Sequence, residues 1–103
     1  MAKPNLTAVD FPTLFTTEGK EADGTVTGTG ITKSDKVAIK SKDDPKNEWE
    51  GKVGDPVQGE KDKFHAKVKR KKKHYGTETV GVTVTNSSSE ESNEKETDSK
   101  VVP

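Results

Sequence analysis

The densest chemical feature of the sequence is a run of basic residues followed by a histidine and a tyrosine. It consists of Lys67, Lys69, Arg70, Lys71, Lys72, Lys73, His74 and Tyr75. A basic strand end beside an aromatic side chain can contact phosphates and stack on a base, which predicts a nucleic-acid-binding surface. The alternative is a solvated turn whose charges are screened by water or by the acid-rich end of the chain. That end carries Glu90, Glu91, Glu94, Glu96 and Asp98. We favour the solvated or self-screened interpretation, because basic clusters are common in proteins that bind no nucleic acid.

The other polar residues show no pattern typical of catalysis or metal binding. The two histidines, His65 and His74, are nine positions apart, and no carboxylate stands at a ligand spacing from them. The neighbouring carboxylates Asp43 and Asp44, and the pair Glu48 and Glu50, fall in loop and strand-edge positions. General acid–base catalysis needs a pocket that shifts a pKa, and a small core leaves little room for one. We therefore predict no catalytic residue, no metal and no cofactor, and a protein that is not an enzyme.

Composition predicts one small domain with a thin core. Of 103 residues only 25% are hydrophobic and 35% are charged, and there is no cysteine, which excludes disulfides and thiolate metal sites. Residues 1–85 hold 16 Lys and Arg against 13 Asp and Glu, whereas residues 86–103 hold 2 against 5. No apolar run approaches the ~20 residues of a membrane helix, and residues 1–5 lack the apolar region of a signal peptide.

The elements that must position these residues all have the pattern of β-strands. The stretch Gly24–Ile31 combines β-branched Thr and Val with glycines, which predicts a central strand closely approached by another backbone. Lys36–Lys40 and Lys63–Lys69 alternate apolar with charged residues, and Thr79–Thr85 alternates valine with Thr or Gly. The last two suit a hairpin whose tip carries the basic cluster. Trp49 shares a face with Val53, which favours the core over an exposed binding role.

These strands and turns, with no helical periodicity, predict an all-β fold: an immunoglobulin-like β-sandwich of six or seven short antiparallel strands. We expect residues 1–5 to form a flexible arm, residues 6–86 the sandwich, and residues 87–103 a disordered polar and acidic tail.

Three segments resemble the immunoglobulin-like IPT/TIG domain and its bacterial and phage relatives. They are Gly24-Thr25-Val26-Thr27-Gly28-Thr29-Gly30-Ile31, Lys36-Val37-Ala38-Ile39 and the closing Val80-Gly81-Val82-Thr83-Val84-Thr85-Asn86. Family members carry a "G-T-x-V-T-I-x-G-x-G-F" strand and end on "V-x-V-T-N". The resemblance spans about residues 6–86, with Ile31 in place of the usual Phe, and residues 43–63 have no counterpart.

The resemblance implies a non-enzymatic structural or binding module, an accessory (decoration or tail-associated) protein of a phage virion or a surface-interaction domain. Its partner would be a larger protein assembly such as a capsid, tail or surface protein. We expect the chain to be monomeric when free, because lysines on strand edges oppose association. We also expect it in the virion, or in the host cytoplasm during assembly. Phe11, Leu14 and Phe15 are candidates for an apolar docking patch, with the core as the alternative. Nucleic-acid binding through Lys67–Tyr75 is the alternative function.

Overall fold

The computed structural model describes residues 3–17, 19–42, 48–72 and 76–102. In these ranges the chain is all-β, with eight strands and no helix, and so nothing there could cross a membrane as a helix. The strands are β1 (Asn5–Asp10), β2 (Thr13–Phe15), β3 (Glu21–Thr29), β4 (Lys36–Ser41), β5 (Glu48–Pro56), β6 (Lys63–Lys72), β7 (Gly76–Thr85) and β8 (Lys95–Val102).

The eight strands form one curled sheet in the order β1-β3-β6-β5-β4-β7-β8-β2. All neighbours are antiparallel except β2 and β8, which are parallel. β1 and β2 are consecutive in the chain but lie at opposite ends of this order. The sheet curls until β1 contacts β8 and β2 contacts β3, so that the short connection Phe11–Pro12 joins its two ends.

Two side chains form hydrogen bonds with the backbone of the two end strands, β1 and β2. Asn93 accepts a hydrogen bond from the Leu6 N–H (2.7 Å) and donates one to the Leu6 carbonyl (2.9 Å), so its carboxamide takes the place of a neighbouring strand beside β1. From β5, Trp49 Nε1 donates to the Phe15 carbonyl of β2 at 2.9 Å. These bonds satisfy backbone groups that an open sheet edge would leave free for another chain.

The core fills the inside of the curl. Because side chains alternate across a strand, each strand sends every second residue inward, and β4 and β6 show this clearly. The largest fully buried side chains are Trp49, Phe11, Leu6, Leu14, Ile39, Val26, Val37, Val68, Val80, Val82 and Val84. The predicted core position of Trp49 is confirmed, since its exposure is 1%.

Gly28 shows why the Gly24–Ile31 stretch contains glycine. A Cβ on Gly28 would lie 2.9 Å from the carbonyl carbon of Asn5 and 3.0 Å from the Cα of Leu6. Only a residue without a side chain lets β1 approach β3 this closely. The predicted close approach of another backbone is therefore confirmed at this position.

The predicted disordered tail is not confirmed, because Lys95–Val102 forms β8. This strand pairs with β7 on one side and β2 on the other. Low hydrophobicity predicts disorder, but strand pairing uses backbone groups that every residue carries. The inward positions Ser99 and Val101 are small enough to be buried, at 1% and 4% exposure, and the Ser99 hydroxyl donates to the Phe11 carbonyl.

Three further expectations differ from the structure. The predicted hairpin of β6 and β7 is wrong: β5 and β4 lie between them in the sheet. Alternation indicates which face of a strand is buried, but it does not indicate which strand lies beside it. The described ranges contain eight strands rather than six or seven, and they form one sheet. In the predicted flexible arm, Pro4 is buried and Asn5 begins β1; Met1 and Ala2 lie outside the described residues.

Candidate binding surface

The basic cluster is divided between the two faces of β6. Lys67, Lys69 and Lys71 are exposed on the outer face, whereas Val68 is buried and Arg70 is half-buried. Lys72 ends the strand. The remaining members of the predicted site, Lys73, His74 and Tyr75, lie outside the described residues. The described part of the cluster is thus one side of a strand rather than the tip of a hairpin.

Acidic residues on both neighbouring strands accompany these lysines. Lys69 lies opposite Glu21 of β3 on one side and Glu50 of β5 on the other. The Lys71 ammonium lies 3.7 Å from the Glu50 carboxylate. On β3, Asp23 lies opposite Lys67. The carboxylates beside the described basic residues therefore come from within the sheet.

The described contacts of the acid-rich end are with residues other than the basic cluster of β6. Glu94 forms an ion pair with Lys42. Asp98 accepts a hydrogen bond from the Thr79 hydroxyl at 3.0 Å, and Glu90 accepts one from the Asn86 side chain at 3.2 Å. None of these contacts involves β6, so they do not provide the predicted screening of the basic cluster by the tail.

A row of three lysines crosses the outer face of the sheet. Lys36 of β4 lies directly opposite Lys52 of β5, and Lys52 lies directly opposite Lys67 of β6. We call Lys36, Lys52 and Lys67 the lysine row. All three side chains are exposed. Sequence reasoning placed lysines of β4 and β6 on the outside, but it missed the row, because the row exists only once β5 is placed between β4 and β6.

The lysine row lines an open groove of about 750 Å³ on the outer face. Glu50, Gly51 and Lys69 line it on β5 and β6, Glu21 lies on the β3 side, and Ala38 lines it on β4. Among the described residues, no carboxylate forms an ion pair with any member of the row. The groove therefore presents positive charge that the described part of the fold leaves unpaired.

The predicted apolar docking patch is mostly interior. Phe11 and Leu14 have 0% exposure and belong to the core, which matches the alternative interpretation of these two residues. Phe15 is half-buried against the core, and the Lys20 ammonium lies 4.2 Å from the centre of its ring. These three residues do not form an exposed apolar surface in this conformation.

The groups that could do acid–base or metal chemistry are scattered. His65 is exposed on β6, and Glu50 is exposed on β5, while His74 and the pair Asp43–Asp44 lie outside the described residues. In the ranges that the structure describes, no three His, Asp or Glu side chains gather as metal ligands would.

Two surface ion pairs shift a pKa. The Lys33 ammonium lies 2.9 Å from the Asp55 carboxylate and, by hydrogen bonding and charge attraction, lowers the pKa of Asp55. The hydrogen bond to Glu94 raises the pKa of Lys42, with charge attraction adding to the effect. Both shifts arise at exposed contacts rather than in a pocket, so they favour ordinary surface pairing over a reactive group.

Neither a scan against models of protein families nor a search among curated proteins finds a match to this chain.

Proposed function

We propose that the chain is a non-enzymatic immunoglobulin-like module that binds to a larger protein assembly. The observation that carries this proposal is the strand order. Constant-type immunoglobulin domains place strands A, B, E and D in one sheet and C, F and G in the other. With β2 set aside, the first, second, fifth and fourth strands here are neighbours, and the third, sixth and seventh follow.

In this proposal the two layers of the sandwich are β1-β3-β6-β5 and β4-β7-β8, and they are continuous because β5 pairs with both β6 and β4. The segments with the IPT/TIG-like pattern fall on β3, β4 and β7. These three strands each have neighbours on both sides, so the resemblance concerns the interior of the sheet rather than its ends. This supports membership of that broad class.

The packing of side chains in the interior favours a binding role over catalysis. Trp49 and the valines of β7 fill the space inside the curl, and the groove lies outside on an open face. A catalytic site that shifts the pKa of a side chain requires a concave pocket from which water is largely excluded. The bonds from Asn93 and Trp49 also occupy backbone groups at the ends of the sheet, so we place the contact surface on a face rather than on a strand edge.

We propose an accessory protein of a phage virion, or a domain of a surface protein, as the biological setting, acting in the virion or in the host cytoplasm during assembly. This rests on the resemblance of residues 6–86 together with the small size of the domain. The free chain would be monomeric, because exposed lysines along β4, β5 and β6 repel a second copy of the same face.

Nucleic-acid binding through Lys67–Tyr75 remains the alternative. Its support is the three exposed lysines of β6, namely Lys67, Lys69 and Lys71. Against it stand Glu21 and Glu50 on either side of Lys69, since carboxylates repel phosphates.

Sedimentation tests the proposal. Tagged protein is produced in its native cells, and the lysate is treated with nuclease and separated on a sucrose gradient. We expect a fraction of the protein to travel with a large particle. The control is Val82→Asp, which puts a charge at a core position with 0% exposure and should remove the protein from that fraction. Folded wild-type protein found only near the top of the gradient would contradict the proposal, and particle association abolished by nuclease would favour the alternative.

A further inference from the structure

The lysine row is an unfavourable arrangement for the isolated domain. Neighbouring strands lie about 4.8 Å apart, so the three Cα positions of Lys36, Lys52 and Lys67 span roughly 10 Å. Like charges directly opposite each other on a sheet are destabilising. The row ends opposite Asp23 on the β3 side and opposite Thr85 on the β7 side, so Lys36 and Lys52 face no carboxylate in register.

The carboxylate of Glu50, in the row beside the lysines, forms its described ion pair outside the lysine row, and Asp23 stands only at the β3 end, opposite Lys67. Glu50 stands in the adjacent row of the sheet, between Ala38 and Lys69. Its described ion pair is with Lys71, at 3.7 Å. The positive charge of the lysine row is therefore available to a ligand.

The groove has room for an extended chain over the lysine row. Ala38 is a small side chain on the outer face of β4, and the groove measures about 750 Å³. Lysine side chains are long and flexible, so their ammonium groups can follow a ligand while their methylene stems cover its sides. A segment of a few residues would cover the row from β4 to β6.

The adjacent row indicates what kind of anion fits. From β4 to β6 it reads Ala38, Glu50, Lys69, so it contains both charges beside the three lysines, and on β3 the two rows end at Glu21 and Asp23. A nucleic-acid backbone is wider than one row and is negative throughout, and it would bring phosphates against both glutamates. A protein segment can place acidic residues over the lysine row and a basic or neutral residue over Glu50. Charge complementarity therefore favours protein.

We propose that the lysine row, Lys36, Lys52 and Lys67, binds an acidic, extended protein segment lying across β4, β5 and β6. This names the contact surface for the proposed function, and it rests on that proposal in taking the partner to be a protein. The partner's carboxylates relieve the repulsion among the three lysines on binding. This explains why a small domain retains an arrangement that is unfavourable in the free state.

Direct binding to a short acidic peptide tests the inference. The probe is a fluorescent octapeptide alternating glutamate and threonine, measured by anisotropy at about 0.01 M and about 0.15 M salt. The test variant replaces Lys36, Lys52 and Lys67 by glutamine. The matched control replaces Lys3, Lys61 and Lys100 by glutamine as well. These are three exposed lysines outside the groove, so the control removes the same charge.

We expect the row variant to bind the peptide about tenfold more weakly than wild type, as three exposed ion pairs would give. The control should stay within about twofold of wild type, apart from the general charge effect that disappears at the higher salt. The row variant should also melt at or above the wild-type temperature, because it loses like-charge repulsion. That thermal result shows that weaker binding does not come from unfolding.

Three outcomes would overturn the inference: no peptide binding by wild type at about 0.01 M salt, equal loss in the row variant and the control, or tighter binding of a single-stranded oligonucleotide of equal charge. The gradient experiment separates this inference from the proposed function. If the row variant still travels with the particle, the module proposal stands and the lysine row is not its contact surface. If wild type binds the peptide through the row but joins no particle, the surface stands and the module proposal fails.

Discussion

Replacing Gly51 with alanine should destabilise the sheet strongly. A Cβ at this position would lie 2.7 Å from the carbonyl carbon of Lys67 and 2.8 Å from the Cα of Val68, and closer still to the Lys67 oxygen. All three atoms belong to the backbone of β6, so no side chain can rotate away, and β5 and β6 must separate. Overpacking costs about 1–3 kcal/mol and occasionally more. We expect the upper end, about 3 kcal/mol, because backbone atoms cannot yield.

Gly54→Ala is the matched control on the same strand. A Cβ there would lie 3.5 Å from the His65 oxygen, an ordinary contact. Alanine also restricts the unfolded chain, so the control should lie within about 1 kcal/mol of wild type. Urea unfolding followed by the fluorescence of Trp49 measures both variants, because the single tryptophan is buried in the native state and becomes solvated on unfolding. At roughly 4–8 °C per kcal/mol, Gly51→Ala should melt about 12–24 °C below wild type.

Equal stability of the Gly51 and Gly54 variants would refute this reasoning, since it would mean that β5 and β6 do not meet as closely as described. The substitution bears on function as well, because separating β5 from β6 moves Lys52 away from Lys67. Gly51→Ala should therefore weaken peptide binding, whereas Gly54→Ala should not.

Three further predictions concern the closure of the sheet and its surface charges. Asn93→Ala leaves the buried N–H and C=O of Leu6 without the carboxamide and should cost about 1–3 kcal/mol in urea unfolding; an unchanged midpoint would contradict the closure of β1. Deleting residues 95–103 removes β8 and should abolish the cooperative urea-unfolding transition. An unchanged unfolding transition would instead support the prediction of a disordered tail. Lys33→Ala should raise the pKa of Asp55, measured by carboxyl NMR titration. Because the folded-state pKa is lowered, the pair stabilises the fold above the unfolded-state pKa of Asp55, and this is lost as pH falls through the folded-state value.

The faces of individual strands could be predicted from local sequence. Alternation in β4 and β6 placed valines inside and lysines outside, and the shared face of Trp49 and Val53 placed both in the core, as the structure has them. The glycines of β3 indicated that another strand approaches closely. These features depend only on side-chain period and steric size, which a short window of sequence contains.

Strand partners could not be predicted in the same way. β6 and β7 follow each other and both alternate, yet two other strands separate them. The lysine row depends on that arrangement, because it needs β5 between β4 and β6. β8 was missed for a related reason: its stability comes from backbone pairing with β7 and β2 rather than from its own composition. Long-range pairing is decided by the whole chain, and a short window of sequence does not contain it.

Cross-strand NOEs in isotope-labelled protein test the strand order most directly, and both proposals depend on that order. The observed strand order predicts contacts between Ala38 and Thr83, which place β4 beside β7, and between Val80 and Thr97, which place β8 on the far side of β7. Contacts running between β6 and β7 as a hairpin, with no NOEs from residues 95–102, would contradict it.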